Sequence, residues 1–62
     1  MDRKLINTQQ AAERLGLKRR TLEDWRWQGK GPDYISIGGR VMYDPEALQR
    51  WLDANTVRPE AA

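Results

Sequence analysis

The sequence predicts a small α+β domain made of two helices, a two-stranded β-hairpin and a third helix. Three observations carry this expectation. Apolar residues recur at helical spacing on both sides of Gly16, the period falls to two between Tyr34 and Tyr43, and Asp44-Pro45-Glu46 then opens a further helical stretch. A chain of 62 residues makes one domain, burying on the order of 60% of the surface its unfolded form exposes.

The elements follow in order. Thr8 is the expected N-cap of the first helix, since its hydroxyl can accept from a free N–H of the first turn. Residues 9–15 direct Ala12 and Leu15 inward, and Ala11 is small enough for a second helix to come close. Gly16 ends this helix. Leu17, Leu22 and Trp25 form the packing stripe of the second helix, which stops near Gln28 because Gly29-Lys30-Gly31-Pro32 cannot continue it. Trp27 points away from that stripe, either over the base of the hairpin or onto a face that meets DNA or a partner.

Tyr34-Ile35-Ser36-Ile37 and Val41-Met42-Tyr43 alternate as strands around Gly38-Gly39. A loop of the two glycines alone pairs Ile37 with Arg40 and Ile35 with Met42. A three-residue loop, Gly38-Gly39-Arg40, instead puts Ile35, Ile37, Val41 and Tyr43 on one face. The second register groups four apolar residues and is the expected one, with Arg40 at or beside the hairpin tip. Asp44 is an N-cap, Pro45 fits the first helical position, and Glu46 faces the positive end of the helix dipole. Leu48, Trp51 and Leu52 complete an amphipathic third helix ending near Ala54 or Asn55. The expected core is Leu15, Leu22, Trp25, Ile37, Val41, Leu48, Trp51 and Leu52. The expected boundaries are an N-terminal arm at 1–7 (carrying Arg3 and Lys4), the folded domain at 8–55 and a flexible tail at 56–62.

Composition narrows the function. With neither cysteine nor histidine, the chain has no thiolate or imidazole to bind a metal or to activate a nucleophile. Asp44 and Glu46 are explained by capping, and Gly38-Gly39 is too short to cradle a phosphate. A non-enzymatic protein with no cofactor and no metal is expected. No apolar run approaches the roughly 20 residues of a membrane span, so a soluble cytoplasmic protein with no membrane partner is expected.

The net charge is only +2, but its distribution is uneven. Residues 14–30 hold six cations (Arg14, Lys18, Arg19, Arg20, Arg26, Lys30) and two acids (Glu23, Asp24), whereas the remainder holds five cations and seven acids. Lys18, Arg19 and Arg20 stand together at the start of the second helix. Two helices joined by a tight turn form a helix-turn-helix, whose second helix offers its N-terminal residues to base edges in the DNA major groove. With the hairpin and the third helix, the architecture is a small winged helix-turn-helix, and its expected partner is double-stranded DNA. Arg26 and Lys30 extend the basic surface. Asp24 belongs to the same expected DNA-binding set, because a carboxylate can accept from cytosine N4.

In this order and spacing, LINTQQAAERLGL, RRTLEDW, the Gly31-Pro32 step and IGGRVMYDPEALQRWL resemble the excisionase and AlpA-like branch of the winged helix-turn-helix proteins, relatives of the MerR DNA-binding domain. The resemblance runs from Leu5 to about Leu52. It implies that the second helix enters the major groove and that the hairpin wing meets the adjacent minor groove or its phosphates. On this chain that implies Lys18, Arg19, Arg20 and Thr21 at the helix start and Arg40 on the wing. It also implies an excisionase, or recombination directionality factor: an accessory protein of a phage or integrative element, in the bacterial cytoplasm at the nucleoid. Such a protein binds and bends attachment-site DNA and recruits integrase, with neighbouring copies of itself on the DNA. An AlpA-like transcriptional regulator of a phage or mobile element is the alternative on the same fold. A third reading, contact with a partner protein in place of DNA, is separated from both by the salt dependence of duplex binding.

The chain departs from that group in two places. Lys18 stands where a capping serine or threonine is common. Glu23 and Asp24 stand where basic or aromatic groove-facing residues are common. They are expected either to accept from cytosine or to pair with Arg19, Arg20 or Arg26 within the helix.

Overall fold

The computed structural model describes residues 4–57 and residue 59; Arg3 of the expected arm and tail positions 58 and 60–62 lie outside the described residues. The elements are β1 (Ile6–Asn7), α1 (Thr8–Leu15), α2 (Arg19–Gln28), β2 (Ile35–Ile37), β3 (Arg40–Tyr43) and α3 (Pro45–Ala54). This is the expected winged helix-turn-helix of the α+β class, with one strand more than the sequence suggested. The sheet is antiparallel in the order β1-β3-β2. Among the described residues no helix is long and apolar enough to cross a membrane.

The added strand is β1. Two residues carry no readable period, yet Ile6 lies opposite Tyr43 and Asn7 opposite Met42. Asn7, not Thr8, caps α1. Its carboxamide oxygen accepts from the Gln10 N–H at 2.8 Å, while Gln10 Oε1 accepts from the Asn7 N–H at 2.9 Å. Either residue type can cap, but only Asn7 has a glutamine three places on to close the reciprocal box. Thr8 thereby becomes the first helical residue and is buried.

The hairpin register also differs from the expectation. Ile37 pairs with Arg40, Ser36 with Val41 and Ile35 with Met42, so the loop is Gly38-Gly39 alone and Arg40 belongs to β3. Gly38 and Gly39 have φ of 53° and 81°. Positive φ at both central residues is what a two-residue turn needs to match the twist of its strands, and two glycines supply it without strain. Strand alternation then sends Val41 and Tyr43 to the core beside Ile6, and Ile35, Ile37, Arg40 and Met42 to the opposite face. Ile37 is 52% exposed and leaves the expected core. The four-residue apolar face was not required, because β1 supplies Ile6 to that layer.

The buried core is Ile6, Ala11, Ala12, Leu22, Tyr43 and Leu48, with Leu15, Leu17, Trp25 and Val41 packed against it. Ala11 and Ala12 let α1 approach α2 closely. Trp51 and Leu52 are half-buried, and the Trp51 ring stands 5.8 Å from that of Trp25 at 50°. Gly31 passes directly over Trp25. A Cβ there would lie 2.9 Å from Trp25 Cε3, and its φ of 93° already excludes most side chains. At α3, Asp44 accepts from the Glu46 N–H at 3.0 Å, and Pro45 takes the first helical position, as its sequence predicts.

Candidate nucleic-acid interface

The turn between α1 and α2 is built by backbone. The Leu17 N–H donates to Ala12 O at 2.9 Å and the Thr21 N–H to Lys18 O at 2.9 Å. Lys18 holds the N-cap position in extended conformation, and its side chain makes no capping hydrogen bond. The start of α2 therefore combines its positive dipole end with three exposed cations, Lys18, Arg19 and Arg20. Such a surface favours phosphate.

The outward side of α2 follows from its burial. Leu22 is buried and Thr21, Trp25 and Arg26 are half-buried, while Arg20, Asp24 and Trp27 are exposed. At about 100° per residue, Arg20, Asp24 and Trp27 fall within roughly 60° of one another, on the side opposite Leu22. Of the two orientations open to Trp27, the structure takes the outward one, with 90% of the residue exposed. The acids separate into two roles. Glu23 accepts from Arg19 Nε at 3.1 Å, one helical turn away. Asp24 stands in the outward strip between Arg20 and Trp27.

Arg26 is placed differently from the other expected contacts. Its Nη1 donates to Tyr43 Oη at 3.1 Å and to Thr8 Oγ1 at 3.3 Å, and its guanidinium carbon lies 5.8 Å from the centre of the Tyr34 ring. One side chain on α2 thus holds the start of α1, the end of β3 and the residue leading into β2. Sequence reading missed this cluster, although a buried tyrosine hydroxyl always needs a partner. Among the described residues, no buried side-chain polar atom lacks one.

Lys30 follows α2 and is exposed beside Gly31 and Tyr34, with its N–H donating to Trp25 O at 2.9 Å. Arg40 is exposed next to the glycine turn, at the first position of β3 and not in the loop. The structure therefore gathers Lys18, Arg19, Arg20, Asp24 and Trp27 on α2 and its start. Lys30 and Arg40 lie on the following loop and on the wing, Thr21 is half-covered, and Arg26 is turned inward.

No curated protein sequence matches the chain. A family model described as a helix-turn-helix domain matches residues 5–56, which spans every element of the fold. The chain belongs to this helix-turn-helix family, which includes excisionase-like and AlpA-like proteins, and that membership supports DNA as its partner.

Proposed function

We propose that this chain is an excisionase, a recombination directionality factor of the MerR-related winged helix-turn-helix kind. It binds double-stranded attachment-site DNA with α2 in the major groove and the β2–β3 hairpin against the adjacent minor groove or its phosphates. Lys18, Arg19, Arg20 and Lys30 meet phosphate or guanine edges, and Arg40 follows the wing backbone. The protein performs no covalent chemistry and uses no cofactor. It acts by bending the duplex, by occupying neighbouring sites in several copies and by recruiting integrase.

The single observation behind this reading is the run of three exposed cations at the uncapped start of α2, in a chain whose family match covers residues 5–56. The interface fits a cooperative role. One helix and one wing form a modest interface, so repeated sites and neighbour contacts must supply the remaining affinity. The test is an excision reaction reconstituted with the integrase of the same element and a plasmid carrying its attachment sites. The chain should switch the reaction toward excision and bend the attachment-site fragment in a circular-permutation gel. Unchanged recombination, together with altered transcription from a nearby promoter, would assign the same DNA contact to an AlpA-like regulator.

A further inference from the structure

Building on the reading of α2 as the groove helix, we propose that Trp27 reads thymine. Its indole packs on the 5-methyl group of a thymine about three base pairs from the base that Arg20 contacts. Trp27 is 90% exposed, whereas Trp25 and Trp51 are half-buried and lie against each other. Folding leaves this large indole surface in water, on the side of α2 that faces away from the core. Tryptophan in such a place marks a contact surface, because it offers a wide rigid area at little entropic cost.

The surroundings of Trp27 select the occupant. Arg20 lies on the same strip and Lys30 stands three residues further along the chain, while the charge of Glu23 is held by Arg19 at 3.1 Å. An apolar protein surface docking here would have to desolvate those cations, whereas a duplex neutralises them. Among the groups that base edges present in the major groove, the thymine 5-methyl is the one that offers an apolar methyl for an indole to cover. Asp24, three residues before Trp27 on the same strip, is repelled by phosphate, which keeps the indole over the groove floor and away from the backbone. Seven residues of helix span roughly 10 Å, close to three base-pair steps of about 3.4 Å. Arg20 and Trp27 therefore reach positions about three pairs apart.

The experiment begins with duplexes enriched from a randomised pool by the wild-type chain. Each thymine of the winning site is then replaced by deoxyuridine, which pairs identically but lacks the methyl group. Uracil about three pairs from the Arg20 contact should weaken binding about four-fold, the worth of one buried methyl. The Arg20 contact is identified as the position at which Arg20→Ala relaxes base preference. Trp27→Ala should bind the thymine and uracil duplexes alike, and should melt like wild type because the ring is exposed. Equal binding of both duplexes by wild type, a winning site without thymine at that distance, or a thymine preference that survives in Trp27→Ala each overturns the proposal. With salt-dependent duplex binding intact, those results reject only the role of Trp27 and leave its ring to a protein surface. If wild type binds no random duplex at low salt, the DNA reading itself fails.

Discussion

Replacing Arg26 with methionine keeps most of the aliphatic stem and removes the guanidinium that joins α2 to α1 and the sheet. Tyr43 is 1% exposed and Thr8 is 8% exposed, so water cannot readily take over the hydrogen bonds at 3.1 Å and 3.3 Å. An orphaned buried hydroxyl costs about 1–3 kcal/mol, and the cation above the Tyr34 ring adds about 0.5–1 kcal/mol. Arg26 is only half-buried and the Thr8 hydroxyl can rotate, so the sum should be about 2–4 kcal/mol. A domain of this length has a total stability of about 3–9 kcal/mol. The melting temperature should accordingly fall by about 10–25 °C, followed by far-ultraviolet circular dichroism. Tyr43→Phe alone should cost about 1 kcal/mol, because the guanidinium keeps Thr8 and partial solvent. Combined with Arg26→Met it should cost at least about 1 kcal/mol less than the sum of the two single changes, since neither group is then orphaned. An Arg26→Met protein melting within about 2 °C of wild type, or strict additivity in the cycle, would refute the anchoring role.

Gly31→Ala should destabilise the domain by about 1–3 kcal/mol, because the added Cβ meets Trp25 at 2.9 Å and the backbone is left-handed there; a urea titration reads this directly. The hairpin register is tested by a pair of lysine substitutions. Ile37→Lys should stay within about 0.5 kcal/mol of wild type, while Val41→Lys, on the core side, should cost more than about 2 kcal/mol in the same titration. Arg40→Ala should leave the melting temperature unchanged and reduce the slope of log K against log salt by about one, measured by fluorescence anisotropy on a short duplex.

The helices were legible because each carries its own boundary chemistry. Gly16 and the 29–32 stretch stop α1 and α2, and Asp44-Pro45-Glu46 starts α3, all within a few residues of sequence. What escaped was non-local. β1 is defined only by its pairing with β3, and once Ile6 fills the core-facing layer, Ile35 and Ile37 are free to face outward. Counting apolar residues within the hairpin could not reveal a third strand. The turn itself held the better signal, since two consecutive glycines favour the two-residue loop. At the candidate interface, the cation cluster of Lys18, Arg19 and Arg20 was plain from adjacency, whereas the sequence left Glu23 open to Arg19, Arg20 or Arg26 and the structure pairs it with Arg19. The inward turn of Arg26 was hidden, because its partners Thr8 and Tyr43 lie 18 and 17 residues away in sequence.

The central claim is that the start of α2 meets DNA phosphate. The most direct measurement is the affinity of the chain for a random-sequence duplex across a range of salt concentrations, for wild type and for Lys18→Ala. With Lys18, Lys30 and Arg40 at phosphates, log K should fall against log salt with a slope of about −3, and Lys18→Ala should reduce that slope by about 0.9. Binding that does not respond to salt, or a slope untouched by the loss of Lys18, would contradict it.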